Sequence, residues 1–159
     1  MYLIDMFRAS KYMYFIYMIW SDPMNGIEGI DEEGLARLVT RFYGKVRQDP
    51  LIGPVFNDAI DDWPEHLEKL AAFWSSLMLT TGRYKGMPMA AHLKHRSRLT
   101  PAMFERWLGL WRETTAEEMP AQAAAATSEM AIMIRTEIDC SFRILLPRKI
   151  EIQILWGTS

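Results

Sequence analysis

Between Asp31 and Asp49 the apolar residues Leu35, Leu38, Val39, Phe42 and Val46 recur at three- and four-residue spacing. That period lines one face of an α-helix. Asp31 is a good N-cap, Glu32 and Glu33 put carboxylates at the positive helix end, and Asp49-Pro50 stops the run. Residues 50–60 hold two prolines and Gly53, which predicts a corner with a short helical turn from which Leu51, Ile52, Val55 and Phe56 pack inward. A second long helix is predicted from about Asp62 to Leu79. Asp62 caps it, Pro64 suits its first turn, and Leu67, Leu70, Phe73, Trp74 and Leu77 share one broad, aromatic face.

Thr80 to Met89 carries Gly82, Gly86 and Pro88, so a loop is expected there, with Tyr84 set between Arg83 and Lys85. A short segment follows around Ala90 to Lys94. Thr100-Pro101 then opens a third long helix, with Phe104, Trp107, Leu108 and Trp111 at helical spacing, and Pro120 begins an alanine-rich fourth that runs through about Glu137. The pattern breaks after that. Ile144, Leu145, Leu146, Ile150, Ile152, Ile154 and Trp156 follow a largely period-two order around Pro147, which is the pattern of extended structure with no second strand to pair with.

The N-terminus is also atypical. Arg8 and Lys11 precede the apolar or aromatic run Tyr12 to Trp20, in the order a secretory signal would show. Against that reading, Asp5 lies in the basic part, the run is rich in Tyr, and Ser21-Asp22-Pro23 is a poor cleavage site. An extra helix on the globule or a loosely ordered extension is expected instead. The run spans nine residues, less than half of the roughly 20 that a membrane-crossing helix needs. The expected division is an extension over residues 1–26, a helical domain over 27–140 and a tail over 141–159.

Length and composition narrow the function classes. A chain of 159 residues fits one domain, which at that size buries roughly two-thirds of its extended-chain surface. Hydrophobic residues at 50% and charged residues at 24% are ordinary globular values. A net charge of -2 offers no basic footprint for nucleic acid. Cys140 is the single cysteine, which excludes an intrachain disulfide, a thiolate-only zinc site and an iron–sulfur cluster within one chain. A cytoplasmic chain is the simplest expectation.

The chemistry must then come from a helical scaffold with three histidines and many aromatic residues. His66 stands at the edge of the second helix's apolar face, where a histidine is as readily a hydrogen-bonded, partly exposed residue. His92 and His95 are three residues apart after the loop, a spacing that can bind metal, but no nearby carboxylate completes a zinc site. Tyr43, on the apolar side of the first helix, is by itself as readily a core residue with its hydroxyl tied off.

A longer pattern joins these residues. In order, Leu38-Val39-Thr40-Arg41-Phe42-Tyr43, Asp49-Pro50-Leu51-Ile52-Gly53-Pro54-Val55-Phe56, Trp63-Pro64-Glu65-His66-Leu67, Phe73-Trp74-Ser75-Ser76, Gly82-Arg83-Tyr84-Lys85-Gly86, Pro88-Met89-Ala90-Ala91-His92-Leu93 and Phe104-Glu105-Arg106-Trp107-Leu108 resemble the truncated haemoglobins of group III. The resemblance covers roughly residues 27 to 138. It implies an all-α, two-over-two helical sandwich around one b-type haem, with irregular N- and C-terminal extensions that the family does not normally carry.

The same resemblance implies roles. His92 matches the proximal iron ligand, whereas His95 falls where the family usually carries an apolar residue and is a distant second. Tyr43 matches the distal tyrosine, Trp107 the distal indole, His66 the distal-helix histidine and Phe56 the ring that wedges against the haem face. Leu70, Phe73 and Trp74 are expected along the haem with Trp107. Arg83, Lys85, Lys94 and Arg96 are candidates for the haem propionates, or equally an ordinary solvated basic surface. A diatomic gas on a pentacoordinate haem draws electron density and becomes a hydrogen-bond acceptor, so Tyr43 and Trp107 as donors would retain it.

Three functions follow from different classes. The first is a haem-binding globin that holds oxygen or a related diatomic. The second is a haem-dependent redox enzyme on the same residues, acting on peroxide or on nitric oxide and served by an electron-donating reductase. The third is a haem-free helical interaction module in which the aromatic and Met residues form only a core.

Overall fold

The computed structural model describes residues 26–86, 92 and 94–144, with the side chains of 140–144 left aside. Among the described residues there is helix and no strand. Five α-helices follow in order: α1 (Glu32–Gln48), α2 (Gly53–Ala59), α3 (Trp63–Met78), α4 (Pro101–Glu118) and α5 (Ala121–Ile144), with a 3-10 turn at Arg96–Arg98 before α4.

Helices α1, α3 and α4 start where their cap chemistry predicts. The Asp31 carboxylate accepts from the Gly34 N–H at 2.7 Å to open α1, Asp62 accepts from the Glu65 N–H at 2.9 Å to open α3, and the Thr100 hydroxyl accepts from the Met103 N–H at 3.3 Å to open α4. Glu32 and Glu33 occupy the first turn of α1, and Lys45 and Arg47 the last, which complements the helix dipole at both ends. The apolar stripe read from the sequence is the buried one: Leu35, Leu38, Val39, Phe42 and Val46 are all essentially inaccessible.

Helices α1 and α3 pack as one pair, α4 and α5 as a second, and α1 also lies on α4, which joins the two layers. Their shared core is aromatic. Trp111 is fully buried between Trp74, stacked at 4.3 Å, and Trp107, stacked at 5.6 Å, while Phe42 meets Trp107 and Trp111 edge-on at 5.2 and 4.8 Å. The Trp111 indole N–H donates to the Thr127 carbonyl of α5 at 3.3 Å, so the ring's polar atom is partnered inside the core.

One boundary differs from the sequence expectation. Helix α5 runs to Ile144, beyond Glu137, so Ile144 is helical rather than extended. The period-two pattern does not exclude this, because a short apolar run reads either way until its packing is known. The remainder of the expected extended tail, 145–159, and the N-terminal extension up to residue 25 lie outside the described residues.

The corner between α1 and α2 is held by a buried carboxylate. Asp49 accepts from the backbone N–H of Leu51 at 3.0 Å and of Ile52 at 3.1 Å, and from the Arg106 guanidinium of α4 at 2.6 Å. Gly53 completes the corner by close approach: a Cβ there would stand 2.9 Å from the Arg47 carbonyl oxygen. Burial pushes the Asp49 carboxyl up, but the Arg106 hydrogen bond, the two backbone donors and the guanidinium charge outweigh it and hold the group below the usual carboxylate range.

Asp49→Ala is therefore expected to cost about 2–4 kcal/mol, because it leaves the buried Ile52 N–H, the part-buried Leu51 N–H and the Arg106 guanidinium without their charged acceptor. A folded-state pKa below the unfolded one means that Asp49 stabilises the fold fully above about pH 4, and that this contribution fades as pH falls through the lower folded value. Acid titration followed by circular dichroism checks this. The wild type should lose stability more steeply below about pH 4 than Asp49→Ala, and parallel curves would remove Asp49 from the account.

Candidate functional site

Helix α1 turns Tyr43 toward α3, and α3 answers with Trp63 and His66, one turn apart. The Tyr43 ring lies 6.1 Å from Trp63 and 6.3 Å from His66, and Trp63 and His66 meet edge-on at 5.9 Å. Phe56 closes the group from α2 at 5.9 Å from Tyr43. Trp107 arrives from α4, its ring packed edge-on against Phe42, which also touches Tyr43. Four of the residues singled out in the sequence, Tyr43, Phe56, His66 and Trp107, thus gather in one aromatic cluster, Trp107 joined to it through Phe42.

The electrostatics of that cluster keep it neutral. Burial pushes the Tyr43 phenol far above its ordinary range, and the Trp107 hydrogen bond offsets this only in part, so the hydroxyl stays protonated. Half-buried His66 is held below the usual imidazole range, first by burial, then by the Lys69 ammonium, with Glu65 opposing and His92 adding to the lowering. His66 is accordingly a neutral imidazole at pH 7, and His92 stands close enough for its charge to be felt there.

His92 is partly buried on a short helical stretch, and its carbonyl accepts from the His95 N–H at 3.1 Å. His95 in turn caps the 3-10 turn. The matched neighbours Pro88, Met89, Ala90, Ala91 and Leu93 lie outside the described residues. Leu70 and Phe73 are partly buried along α3 against the core, whereas Trp74 is fully buried in the indole stack.

Two residues of this region were not singled out from the sequence. Trp63 contacts both Tyr43 and His66 and carries the Arg47 guanidinium 4.7 Å from its ring centroid. Its signal was its position three residues before His66, on the same helix face. Tyr84 lies against Phe73 at 5.2 Å, and only its place in the loop hinted at it.

Comparison with known proteins settles the family. No family model matches the chain. The chain is 40% identical over 94 residues to the group 3 truncated hemoglobin ctb of Campylobacter jejuni, a match that spans 55% of this chain and 71% of that protein. It is similar to the crystal structure of a group III truncated hemoglobin from Campylobacter jejuni with a TM-score of 0.64 at 33% identity, covering 71% of this chain and 91% of the other. The chain belongs to the group III truncated haemoglobins. A globin haem-binding role follows from that membership.

The residues of this truncated haemoglobin fit a haem group on their own chemistry. Among the described residues no cluster of three or more His, Cys, Asp or Glu side chains could hold a metal ion alone. Histidines on two separate elements, one of them against a neutral aromatic cluster, would suit a metal whose other ligands come from a macrocycle. No helix among the described residues is long and apolar enough to cross a membrane.

The loop after α3 is tied to the globin body. The Ser75 hydroxyl donates to Glu32 at 2.8 Å and is bonded to Thr81 at 2.7 Å, Arg83 pairs with Glu32, and the Tyr84 N–H donates to the Ser76 hydroxyl at 2.9 Å. Gly82, with φ at +64°, makes the reversal that this anchoring requires. Arg83 is thus already ion-paired, while Lys85 and Lys94 are exposed.

Proposed function

We propose that this globin would hold a b-type haem through His92, with Tyr43, Trp107 and His66 as the residues that would meet a diatomic gas. The observation that carries this reading is the buried Tyr43 hydroxyl. It is kept protonated by desolvation, in an aromatic cluster shared with His66 and, through Phe42, with Trp107. When bound, haem supplies an iron centre that takes the gas.

The chain's own residues supply the rest. Phe56, Leu70, Phe73 and Trp107 offer apolar surface, His66 stays neutral, and the helix pairs exclude water. In that low-dielectric setting a ligand that gains partial negative charge is held by the Tyr43 hydroxyl and the Trp107 N–H. Arg83, Lys85, Lys94 and Arg96 lie in the loop and the segment after it, where the propionates need cations; Arg83 would exchange Glu32 for that role.

Each donor is expected to contribute roughly 1–2 kcal/mol, so Tyr43→Phe or Trp107→Phe should speed gas release about 5- to 30-fold, and the pair together about 30-fold to a thousandfold. Flash photolysis and ligand-replacement kinetics on the haem-loaded ferrous protein read these rates. An unchanged release rate in the double variant, with a normal Soret band, would sink the retaining role. Slow release suits holding and reacting a gas better than delivering it, and peroxide or nitric oxide chemistry on the same donors is the second reading. The aromatic stack behind the pocket favours it, because rings of low oxidation potential serve redox turnover and gas storage does not need them.

A further inference from the structure

An unbroken row of aromatic rings leads from the pocket to the surface. Tyr43 and Trp107 both touch Phe42, at 4.8 and 5.2 Å. Trp107 and Trp111 are parallel to within 10° at 5.6 Å, and Trp111 and Trp74 to within 17° at 4.3 Å. Trp74 meets Phe73 at 6.0 Å, and Phe73 meets Tyr84 at 5.2 Å. Tyr84 is partly exposed, between exposed Arg83 and Lys85. Its hydroxyl lies over Gly86 so closely that a Cβ there would stand 2.3 Å from it.

Filling a core does not require this order. Leu, Ile or Phe packs as well as Trp, whereas indoles and phenols are the side chains in this row that give up an electron most readily. Electron tunnelling falls off exponentially with the gap between donor and acceptor, and rings in van der Waals contact minimise that gap. Phe73 is not itself a stop, but it fills the space between Trp74 and Tyr84 with a conjugated ring.

We propose that this row is an electron path, along which an oxidising equivalent generated in the pocket by hydrogen peroxide is drawn out to Tyr84 at the surface. The proposal rests on the haem-binding reading given above. Reduction of one peroxide to two waters takes two electrons and two protons. Each electron leaves Tyr84 and moves inward through Trp74, Trp111 and Trp107. The Tyr84 O–H bond breaks, its proton passes to solvent, and a neutral phenoxyl remains. A hydrogen donor in solution, such as a small phenol, re-forms the O–H bond and becomes a radical itself. Two passages convert one peroxide and two donor hydrogens into two waters and two donor radicals, with solvent returning the protons consumed in the pocket.

The other oxidisable rings near the pocket are worse endpoints. Tyr43 is buried and has no solvent to take its proton. Trp63 carries the Arg47 guanidinium over its ring at 4.7 Å, which opposes a positive hole there. Of the two phenols in the row, Tyr84 is the one that combines ring contact with access to water.

The test treats haem-loaded protein, certified by its Soret band, with hydrogen peroxide and a nitroso spin trap in the absence of donor, and maps the adducts by mass spectrometry. Adduct at Tyr84 is expected, lost in Tyr84→Phe and strongly reduced in Trp74→Phe or Trp111→Phe, which keep a ring in the core but remove the indole. In haem-free protein, pulse radiolysis with azide radical oxidises indoles first. Phenoxyl absorption should then grow as indolyl absorption decays, disappearing in Tyr84→Phe and slowing in Trp74→Phe. Adducts confined to Tyr43 or to tryptophans, or Tyr84 labelling undiminished in both indole variants, would overturn the proposal, as would radiolysis without phenoxyl growth in the wild type. A protein that shows no Soret band overturns the haem reading and the peroxide route together, while the radiolysis result still reports separately on the path.

Discussion

Replacing His92 with alanine is expected to abolish stoichiometric haem uptake, while His95→Ala retains it with unaltered ferric and ferrous spectra. The physical asymmetry lies in what each imidazole faces. His92 is near enough to His66 on α3 to oppose its protonation, and His66 in turn lies against Tyr43. His95 stands at the N-cap of the 3-10 turn and its carbonyl accepts from the Arg98 N–H at 2.9 Å. Absorption spectra of the reconstituted variants decide between them. Because a ligand that binds only the folded state raises its stability by mass action, the wild type should also gain thermal stability on adding haem, and His92→Ala should not. A normal Soret band in His92→Ala, with loss in His95→Ala, would exchange the two assignments.

The largest effect on stability is expected at Trp111. Trp111→Ala removes a fully buried indole from between Trp74 and Trp107, strips Phe42 of an edge contact and leaves the Thr127 carbonyl without its side-chain donor. Large-to-small changes of this kind cost about 3–5 kcal/mol, the transfer term plus the cavity left behind. Because Trp111 joins α4 to α1, α3 and α5, the loss should appear in a single cooperative transition on chemical denaturation rather than as local fraying. Trp111→Phe should recover much of the stability, since a ring remains to fill the space. A cost near that of a surface substitution, within about 0.5 kcal/mol, would show that the stack is not the keystone of the core.

Much of the site was legible because its residues sit on helices with strong local signals. Tyr43 rides on the apolar stripe of α1, His66 one turn into α3 after an Asp-Pro start, and Trp107 in the first half of α4 after Thr-Pro. The ordered segments that resemble the group III truncated haemoglobins then turned these separate positions into one expected pocket. Trp63 and Tyr84 escaped notice because each acts through neighbours on other elements. Nothing within a few residues of Tyr84 announces that it will lie against Phe73, or that Gly86 must be glycine to make room for its hydroxyl.

Arg106 and Asp49 make the same point with charge. In the sequence, Asp49 reads only as the residue before a helix-ending proline. In the fold it is a buried carboxylate that holds a corner through two backbone N–H groups and a guanidinium from α4. Arg83, read as a cation for the propionates, is paired with Glu32 of α1, which only the packing of the loop against α1 could reveal.

The sequence by itself determined the helices, their caps and their buried faces, because hydrophobic period, capping side chains and proline act within a turn or two of the chain. The end of α5 lay beyond its reach, since a short apolar run with period two can still be carried into a helix by its neighbours. The tertiary structure alone decided which faces meet: the Tyr43 ring with His66, the three stacked indoles of α3 and α4, and Asp49 with Arg106. Those contacts join residues far apart in the chain, where no local propensity operates and only the burial of shared surface selects the partner.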